Sequence, residues 1–95
     1  MRRLRLAWYD LALTQQKRGS LDDSLISYDK AIAIRPEFLE AWYNRGMLAM
    51  DLGKIKKPLR SFREILRFSP QSADAANAMA VLYFRQGKYD AAAGL

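Results

Sequence analysis

Apolar side chains recur at intervals of three and four residues along most of this chain, and glycine interrupts the pattern at Gly19, Gly53 and Gly87. Such intervals place side chains on one face of an α-helix. The apolar positions before the glycines are Trp8, Leu11 and Ala12, then Trp42, Gly46 and Ala49, then Ala76, Met79, Ala80 and Tyr83. Those after the first two glycines are Leu21, Leu25, Tyr28, Ala31 and Ile32, then Ile55, Leu59, Phe62, Ile65 and Leu66. The pattern predicts an all-α chain of paired helices.

The residues between these segments are typical of helix ends. Each glycine stands just past the first helix of a pair, where a left-handed residue ends a helix without a Cβ penalty. Ser20 is predicted to cap the next helix, with Asp23 three positions later in a capping-box arrangement. Pro36 and Pro70 open the following pairs, because proline is tolerated in a first helical turn.

The pairs are related by an internal repeat with an offset of 34 residues. Five independent columns of identical or similar residues share this offset. They are Gly19, Gly53 and Gly87; Ala12, Gly46 and Ala80; Pro36 and Pro70; Trp8 and Trp42; and Tyr28 and Phe62. The small column is predicted to lie where two helices cross closely. A repeat of this length indicates a stack of helical hairpins.

With these residues in place, the chain resembles the tetratricopeptide repeat (TPR) family, whose pattern is W-x2-L-G-x2-Y followed by a small residue, an aromatic, an alanine and a proline. The sequence of segment Ala41–Gly46 is very similar to the family's typical sequence. The resemblance implies a right-handed α-solenoid of two full hairpins and a truncated third. We expect one domain over residues 1–95, with repeat one at about 5–38, repeat two at about 39–72 and a partial repeat three at about 73–95.

Two departures from the family pattern carry structural expectations. Arg45 stands where leucine is preferred, so its stem should cover the core while its charged head stays in water. Pro58 replaces a small residue early in the second helix of repeat two, and a proline is tolerated only in the first turn. That helix is therefore expected to begin near Lys57.

The third repeat would stop about one turn into its second helix. A solenoid unit cannot bury its apolar face alone, so we expect part of the surface around Ala75, Met79, Leu82 and Tyr83 to be uncovered. Two interpretations remain open: the chain is a fragment of a longer array, or another copy of it supplies the missing cover.

In the TPR family the first helix of each repeat lines a concave surface on which peptides lie. The resemblance places nine groove candidates there: Tyr9, Leu13, Tyr43, Asn44, Met47, Met50, Asn77, Val81 and Phe84. The same helix faces carry the charged residues Asp10, Lys17, Glu40, Asp51, Asp74 and Arg85. Tyrosine and methionine are common at adaptable binding surfaces. The alternative for Leu13, Met47 and Met50 is that they only fill contacts between neighbouring repeats.

One subclass of the family, the co-chaperones that grip a C-terminal Glu-Glu-Val-Asp carboxylate, can be tested against the sequence. Its clamp needs Lys and Asn in repeat one, Asn in repeat two, and Lys and Arg in repeat three. Asn44 matches the middle position, but Tyr9 and Leu13 stand in repeat one, and Asp74 and Ala78 in repeat three. An aspartate would repel the carboxylate, so this mode is excluded.

The net charge is +6, from 16 basic and 10 acidic residues. A stripe at helical spacing, Lys56, Arg60, Arg63 and Arg67, is expected to face outward on the convex side. It could attract nucleic acid through phosphate contacts, or it could be an ordinary solvated helix face. No aromatic residue interleaves the stripe to stack bases, so we favour the solvated face.

Catalysis is disfavoured by composition. Cysteine and histidine are both absent, which removes disulfides, thiolate and imidazole metal ligands and every Ser-His or Cys-His relay. Asp22, Asp23, Glu37 and Glu40 lie at predicted helix starts, where negative charge complements the helix dipole. We therefore expect no enzyme activity, cofactor or metal. No apolar run of about 18 residues and no signal peptide are present, and an intracellular, cytoplasmic location is the expectation.

These features favour a protein–protein interaction scaffold that recognises a peptide segment of a partner in the concave groove. The alternative is a structural module that stacks on other repeats or on copies of itself. Nucleic-acid contact through the convex stripe is a weaker third option. The assignment to peptide binding rests on the family resemblance, because a fold alone does not determine a function.

Overall fold

The structure is a computed structural model that describes residues 2–54 and 56–92. Within these residues it contains five α-helices and no strand: α1 (Arg2–Lys17), α2 (Leu21–Ile34), α3 (Leu39–Asp51), α4 (Lys56–Phe68) and α5 (Ala73–Ala92). Each helix packs against the next, and α3 also contacts α5. Short turns between packed helices make the neighbours antiparallel. The predicted helical solenoid is confirmed. No helix in the described part of the chain is long and apolar enough to cross a membrane.

Two of the three predicted glycine turns are present. Gly19 has φ +83° and Gly53 has φ +76°, in the left-handed region where only glycine is free of Cβ strain. The amide of Gly19 donates to the carbonyl of Gln16, and the amide of Ser20 donates to Gln15. The same pair of bonds recurs after α3, which identifies both turns as Schellman motifs.

Three expectations about helix ends have different outcomes. Gly87 lies inside α5 and has no positive φ, so the predicted turn there is wrong and one helix continues to Ala92.

The predicted capping box is also wrong, because the Ser20 side chain makes no capping hydrogen bond. The Ser20 backbone has φ −81° and ψ 68°, outside the extended conformation that aims a capping side chain at the first turn. Helix α4 begins at Lys56 and holds Pro58 in its first turn, in agreement with the prediction to within one residue.

The small-residue column marks helix crossings in the first two repeats. Ala12 is fully buried between α1 and α2, and its carbonyl oxygen accepts a 2.7 Å hydrogen bond from Ser24 Oγ. Gly46 is buried where α3 meets α4, against the ring of Phe62. Leu11, predicted on the core face, is instead 41% exposed, because α2 covers the neighbouring Ala12 position.

The prediction that the charged guanidinium of Arg45 stays in water is wrong. Its side chain is only 6% exposed. Nη1 donates a 2.8 Å hydrogen bond to Ser61 Oγ on α4, and Nε donates to the Asp29 carboxylate on α2. The guanidinium carbon also lies 5.7 Å from the centre of the Trp42 ring. Arg45 therefore ties α3 to the helices on both sides of it, and these partners replace the water that a buried charge loses.

The surface predicted to be uncovered on α5 differs from the observed one. Ala75 and Leu82 are buried against the neighbouring helices, whereas Met79 is half-buried and Tyr83 is 48% exposed. Positions 75, 78 and 82 form the face turned toward α3 and α4. The exposed face of α5 carries Ala76, Ala80 and Tyr83. Their counterparts in repeat two, Trp42, Gly46 and Ala49, are buried.

Candidate functional site

Two adjoining pockets lie along the first helices of the repeats, and we call them together the concave groove. The first has a volume of about 280 Å³ and is lined by Tyr9, Leu39, Glu40, Tyr43, Asn44, Ile65, Ser69, Ser72 and Asp74. The second, of about 310 Å³, is lined by Tyr43, Met47, Met50, Asp51, Asp74, Asn77, Ala78, Val81 and Arg85. Tyr43 and Asp74 line both pockets. The two pockets therefore adjoin each other along α1, α3 and α5.

Seven of the nine residues proposed from the sequence lie in this groove. Tyr9, Tyr43 and Asn44 line the first pocket, and Met47, Met50, Asn77 and Val81 line the second together with Tyr43. Leu13 lines neither pocket and packs against the core instead. Phe84 is 64% exposed and also lines neither pocket.

Leu13, Met47 and Met50 differ in how far they are buried between the helices. Met50 is only 5% exposed and belongs to the core, while Met47 and Leu13 are partly buried against it. For Met50 and Leu13, packing between helices accounts for the apolar side chain. Met47 and Tyr43, one helical turn apart on α3, leave part of their surface facing the second pocket.

The wall of the first pocket is held by hydrogen bonding and aromatic packing. Asn44 Nδ2 donates a 2.7 Å hydrogen bond to the Tyr9 hydroxyl, which joins α3 to α1. The Tyr9 ring lies 4.9 Å from the Phe38 ring and 6.0 Å from the Tyr28 ring, centre to centre. Since its position is set from three directions, Tyr9 presents an ordered surface to the pocket.

Burial and nearby carboxylates both act on the Tyr9 hydroxyl in this wall. Burial raises the pKa of the Tyr9 hydroxyl above its ordinary value, and the charge of Glu40, followed by that of Asp10, raises it further. The hydrogen bond from Asn44 acts in the opposite direction. Burial is the largest of these contributions, and the two carboxylates add smaller ones of the same sign.

Four lining residues were not proposed from the sequence. Leu39 starts α3, Ile65 lies near the end of α4, and Ser69 and Ser72 belong to the turn before α5. The repeat pattern assigned the groove to the first helices alone, so it could not identify a contribution from α4. The turn around Pro70 was visible as a helix boundary, and its place beside the pocket depends on how α4 packs.

The basic stripe proposed from the sequence lies on α4. Arg60, Arg63 and Arg67 are exposed on α4, while the Lys56 side chain lies outside the described part. Arg60 and Arg63 line a depression of about 370 Å³ with Leu59 and Glu64. Arg67 pairs with Glu64 at 3.4 Å, and its guanidinium carbon lies 5.6 Å from the centre of the Phe68 ring. Part of the stripe is thus neutralised within α4.

Comparisons with known proteins agree with the repeat. A family model described as tetratricopeptide repeat matches residues 9–73 and again residues 43–95. A TPR repeat-containing protein of Rhizobium etli is 27% identical over 84 residues, which are 88% of this chain and 40% of that protein. The photosystem I assembly protein Ycf3 of Cyanophora paradoxa is 28% identical over 91 residues, covering 93% of this chain and 53% of the relative.

A solved structure shares the fold. A crystallised tetratricopeptide repeat protein from Parabacteroides merdae superposes with a TM-score of 0.79 at 28% sequence identity, over 87% of this chain and 32% of that one. This chain spans about half or less of each of these proteins. The shared sequence pattern and the shared architecture lead to one conclusion: the chain belongs to the tetratricopeptide repeat family, whose fold generally serves as a non-catalytic scaffold for protein interactions.

Proposed function

We propose that this chain recognises a peptide segment of a partner protein in the concave groove. The observation that carries the proposal is that the two pockets adjoin at Tyr43 and Asp74. Two adjoining pockets spread over three helices suit an elongated ligand better than a compact one.

The character of the groove supports the same proposal. Its two volumes, about 280 and 310 Å³, are each near the lower end of the range for ligand pockets. Aromatic and thioether surface from Tyr43 and Met47 lies beside polar groups such as Asn77. Such a mixture can bury apolar side chains of a peptide while the polar groups set its orientation. The hydrogen bond between Asn44 and Tyr9 keeps one wall in place before binding, which lowers the entropic cost of association.

The relatives support a role in bringing proteins together. One of them is named as an assembly protein of photosystem I. We infer that the present chain likewise acts by contact with other proteins, without catalysis and without a cofactor, in an intracellular setting.

The proposal is tested by blocking the groove without disturbing the core. Asn77 is exposed on α5 and lines the second pocket, so Asn77→Trp should fill the pocket while the helix stays folded. Peptides selected from a random phage-displayed library are titrated against the native chain and this variant. We expect Asn77→Trp to weaken binding at least about tenfold, which corresponds to about 1.4 kcal/mol.

A second exposed position supplies the matched control. Tyr83 lies on the same helix, is 48% exposed and lines neither pocket. Tyr83→Trp should leave peptide affinity unchanged. Equal affinities of the native chain and Asn77→Trp would refute groove recognition.

A second candidate function, stacking on another helix or copy, is favoured by the exposed face of α5. Ala80 belongs to the small column whose other members, Ala12 and Gly46, are buried under a second helix. Ala80 occupies the matching position on α5, but it and the neighbouring Tyr83 are exposed. We expect light scattering to detect a larger species as concentration rises, and Tyr83→Glu to reduce it. A monomer at every concentration would rule out self-stacking.

A further inference from the structure

The charge of the concave groove is opposite to the charge of the chain. The whole sequence carries a net charge of +6. The groove, however, is lined by the carboxylates of Glu40, Asp51 and Asp74 and by one cation, Arg85. Basic residues outnumber acidic ones in this sequence, so an acidic cavity wall departs from what random placement of the charges would produce.

These carboxylates have no cationic partner in the described part of the chain. The ion pairs found there join Arg35 to Glu37, Arg45 to Asp29 and Arg67 to Glu64. All three pairs lie outside the two pockets. The negative charge of the groove is therefore available to a ligand, whereas several other carboxylates of the protein already have partners.

The helix dipole explains the position of two of the three groove carboxylates and does not explain that of the third. Glu40 and Asp74 lie in the first turns of α3 and α5, where a carboxylate is favourable. Asp51 is the last residue of α3, where the dipole disfavours negative charge. Asp51 also contributes to the wall of the second pocket. The position of Asp51 at this helix end opposes helix stability. We take this as support for a role of Asp51 in ligand binding by the second pocket.

The arrangement strengthens the field at the junction of the pockets. Asp74 lines both pockets, with Glu40 beside it in the first and Asp51 in the second. A cleft with walls of one charge sign concentrates the potential and attracts ligands of the opposite sign. Arg85 offsets charge in the second pocket only. Glu40 also lines a neighbouring depression together with Arg5 and Arg35. The first pocket itself is lined by Glu40 and Asp74 and by no cation, so we place the cation of a ligand there.

We propose that the groove selects a basic segment of a partner protein, with a Lys or Arg side chain between Glu40 and Asp74 and an apolar side chain on Tyr43 and Met47. This inference rests on the proposed peptide recognition and adds the chemistry of the ligand. The apolar contact distinguishes such a segment from a simple polycation, because Tyr43 and Met47 offer surface that a charged group alone does not bury.

The experiment sorts a random phage-displayed peptide library on the immobilised chain at about 50 mM salt, where exposed charges are weakly screened. Selected peptides are then titrated against the native chain and the double variant Glu40→Gln with Asp74→Asn. We expect the selected peptides to be enriched in Lys and Arg. The double variant should lower their affinity about three- to thirty-fold, since each exposed ion pair contributes only modestly.

A matched double variant controls for the loss of charge itself. Asp22 and Asp23 are exposed acidic residues in the first turn of α2 and line neither pocket. Asp22→Asn with Asp23→Asn removes the same charge from a similar helix position. It should leave peptide affinity unchanged, and equal losses from the two double variants would overturn the assignment to the groove.

The remaining outcomes separate the two proposals. Selected peptides without enrichment in Lys and Arg, whose binding is still lost in Asn77→Trp, would refute basic selectivity and leave groove recognition intact. A library that yields no binder, or only binders insensitive to Asn77→Trp, would refute both. Self-association that disappears in the Glu40 and Asp74 double variant, in place of peptide binding, would show that the basic ligand is a second copy and would overturn the partner assignment.

Discussion

A β-carbon on Gly46 would lie 2.7 Å from Cε1 of Phe62. These two residues meet where α3 crosses α4, and Phe62 is fully buried. The same hypothetical carbon would lie 3.1 Å from Cβ of Ser61, so the aromatic ring and the Ser61 side chain both limit the space. Gly46 is thus required by the close approach of two helices.

Gly46→Ala is expected to destabilise the fold by about 1–3 kcal/mol. Alanine has the higher helix propensity, by about 1 kcal/mol, but forcing a methyl into a packed crossing costs more. Urea denaturation followed by circular dichroism measures the change.

Gly87 provides the control for helix propensity. It lies within α5, and a β-carbon there would meet nothing within 4 Å. Gly87→Ala should therefore stabilise the chain by up to about 1 kcal/mol. If both alanine variants moved stability in the same direction, steric contact at Gly46 would not be the determining factor.

Asp29→Asn is expected to destabilise the chain by about 1–2 kcal/mol. The variant removes the carboxylate that accepts from the nearly buried guanidinium of Arg45, while Ser61 remains as the other acceptor. Loss of a partner from a buried charge is costly, and the effect is reduced here because the Asp29 side chain is 48% exposed.

The exposed pair between Arg35 and Glu37 is the comparison for that prediction. Both side chains are substantially solvated, so Glu37→Gln should change stability by less than about 0.5 kcal/mol. Thermal and urea denaturation of the two variants are measured side by side. Equal effects would mean that burial of Arg45 adds nothing to the strength of its pair.

Stability is expected to fall at alkaline pH through Tyr28. Burial first, and then the neighbouring Tyr9, raises the pKa of Tyr28 from 10.0 to about 12. The folded state therefore holds this proton more tightly than the unfolded chain does. Its contribution is fully present below pH 10 and is lost as the pH rises toward 12.

Denaturation midpoints measured from pH 8 to pH 11 test this dependence, with the ultraviolet absorbance of tyrosinate as a second readout. Tyr28→Phe should be less stable at neutral pH, because the hydrogen bond to Gln16 is lost, and should have a shallower alkaline slope. An unchanged slope would assign the pH dependence to other groups.

Charge reversal on the convex side should leave groove binding intact. Arg60 and Arg63 lie on α4, away from both pockets of the groove. Arg60→Glu with Arg63→Glu is expected to preserve peptide affinity to within about twofold at moderate salt, because exposed charges separated by more than a Debye length are largely screened. Fluorescence anisotropy with a labelled peptide measures this.

The same double variant also tests the nucleic-acid alternative. Binding of a labelled single strand that falls steeply with salt and vanishes in the variant would support phosphate contact by the stripe. We expect only weak binding that salt removes, since Arg67 is already paired with Glu64.

Much of the groove could be inferred once the repeat was recognised. Periodicity places Tyr43 and Met47 on one face of α3, and Asn77 and Val81 on one face of α5, since residues three or four apart are neighbours on a helix. Leu13 and Phe84, which the same reasoning proposed, line neither pocket. Membership of a helix face is a local property, whereas exposure to the groove depends on which neighbouring helix covers that face.

By itself, the sequence determined the order of the first four helices, the left-handed turns at Gly19 and Gly53 and the small residue at position 46. Each of these follows from backbone conformation or from spacing within a few residues. Tertiary structure decided the burial of Arg45, whose partners Asp29 and Ser61 lie 16 residues away on either side. It also decided the negative charge of the groove, since Glu40, Asp51 and Asp74 come together only when α3 and α5 pack. Local pattern specifies what a segment becomes, and long-range packing specifies which side chains meet.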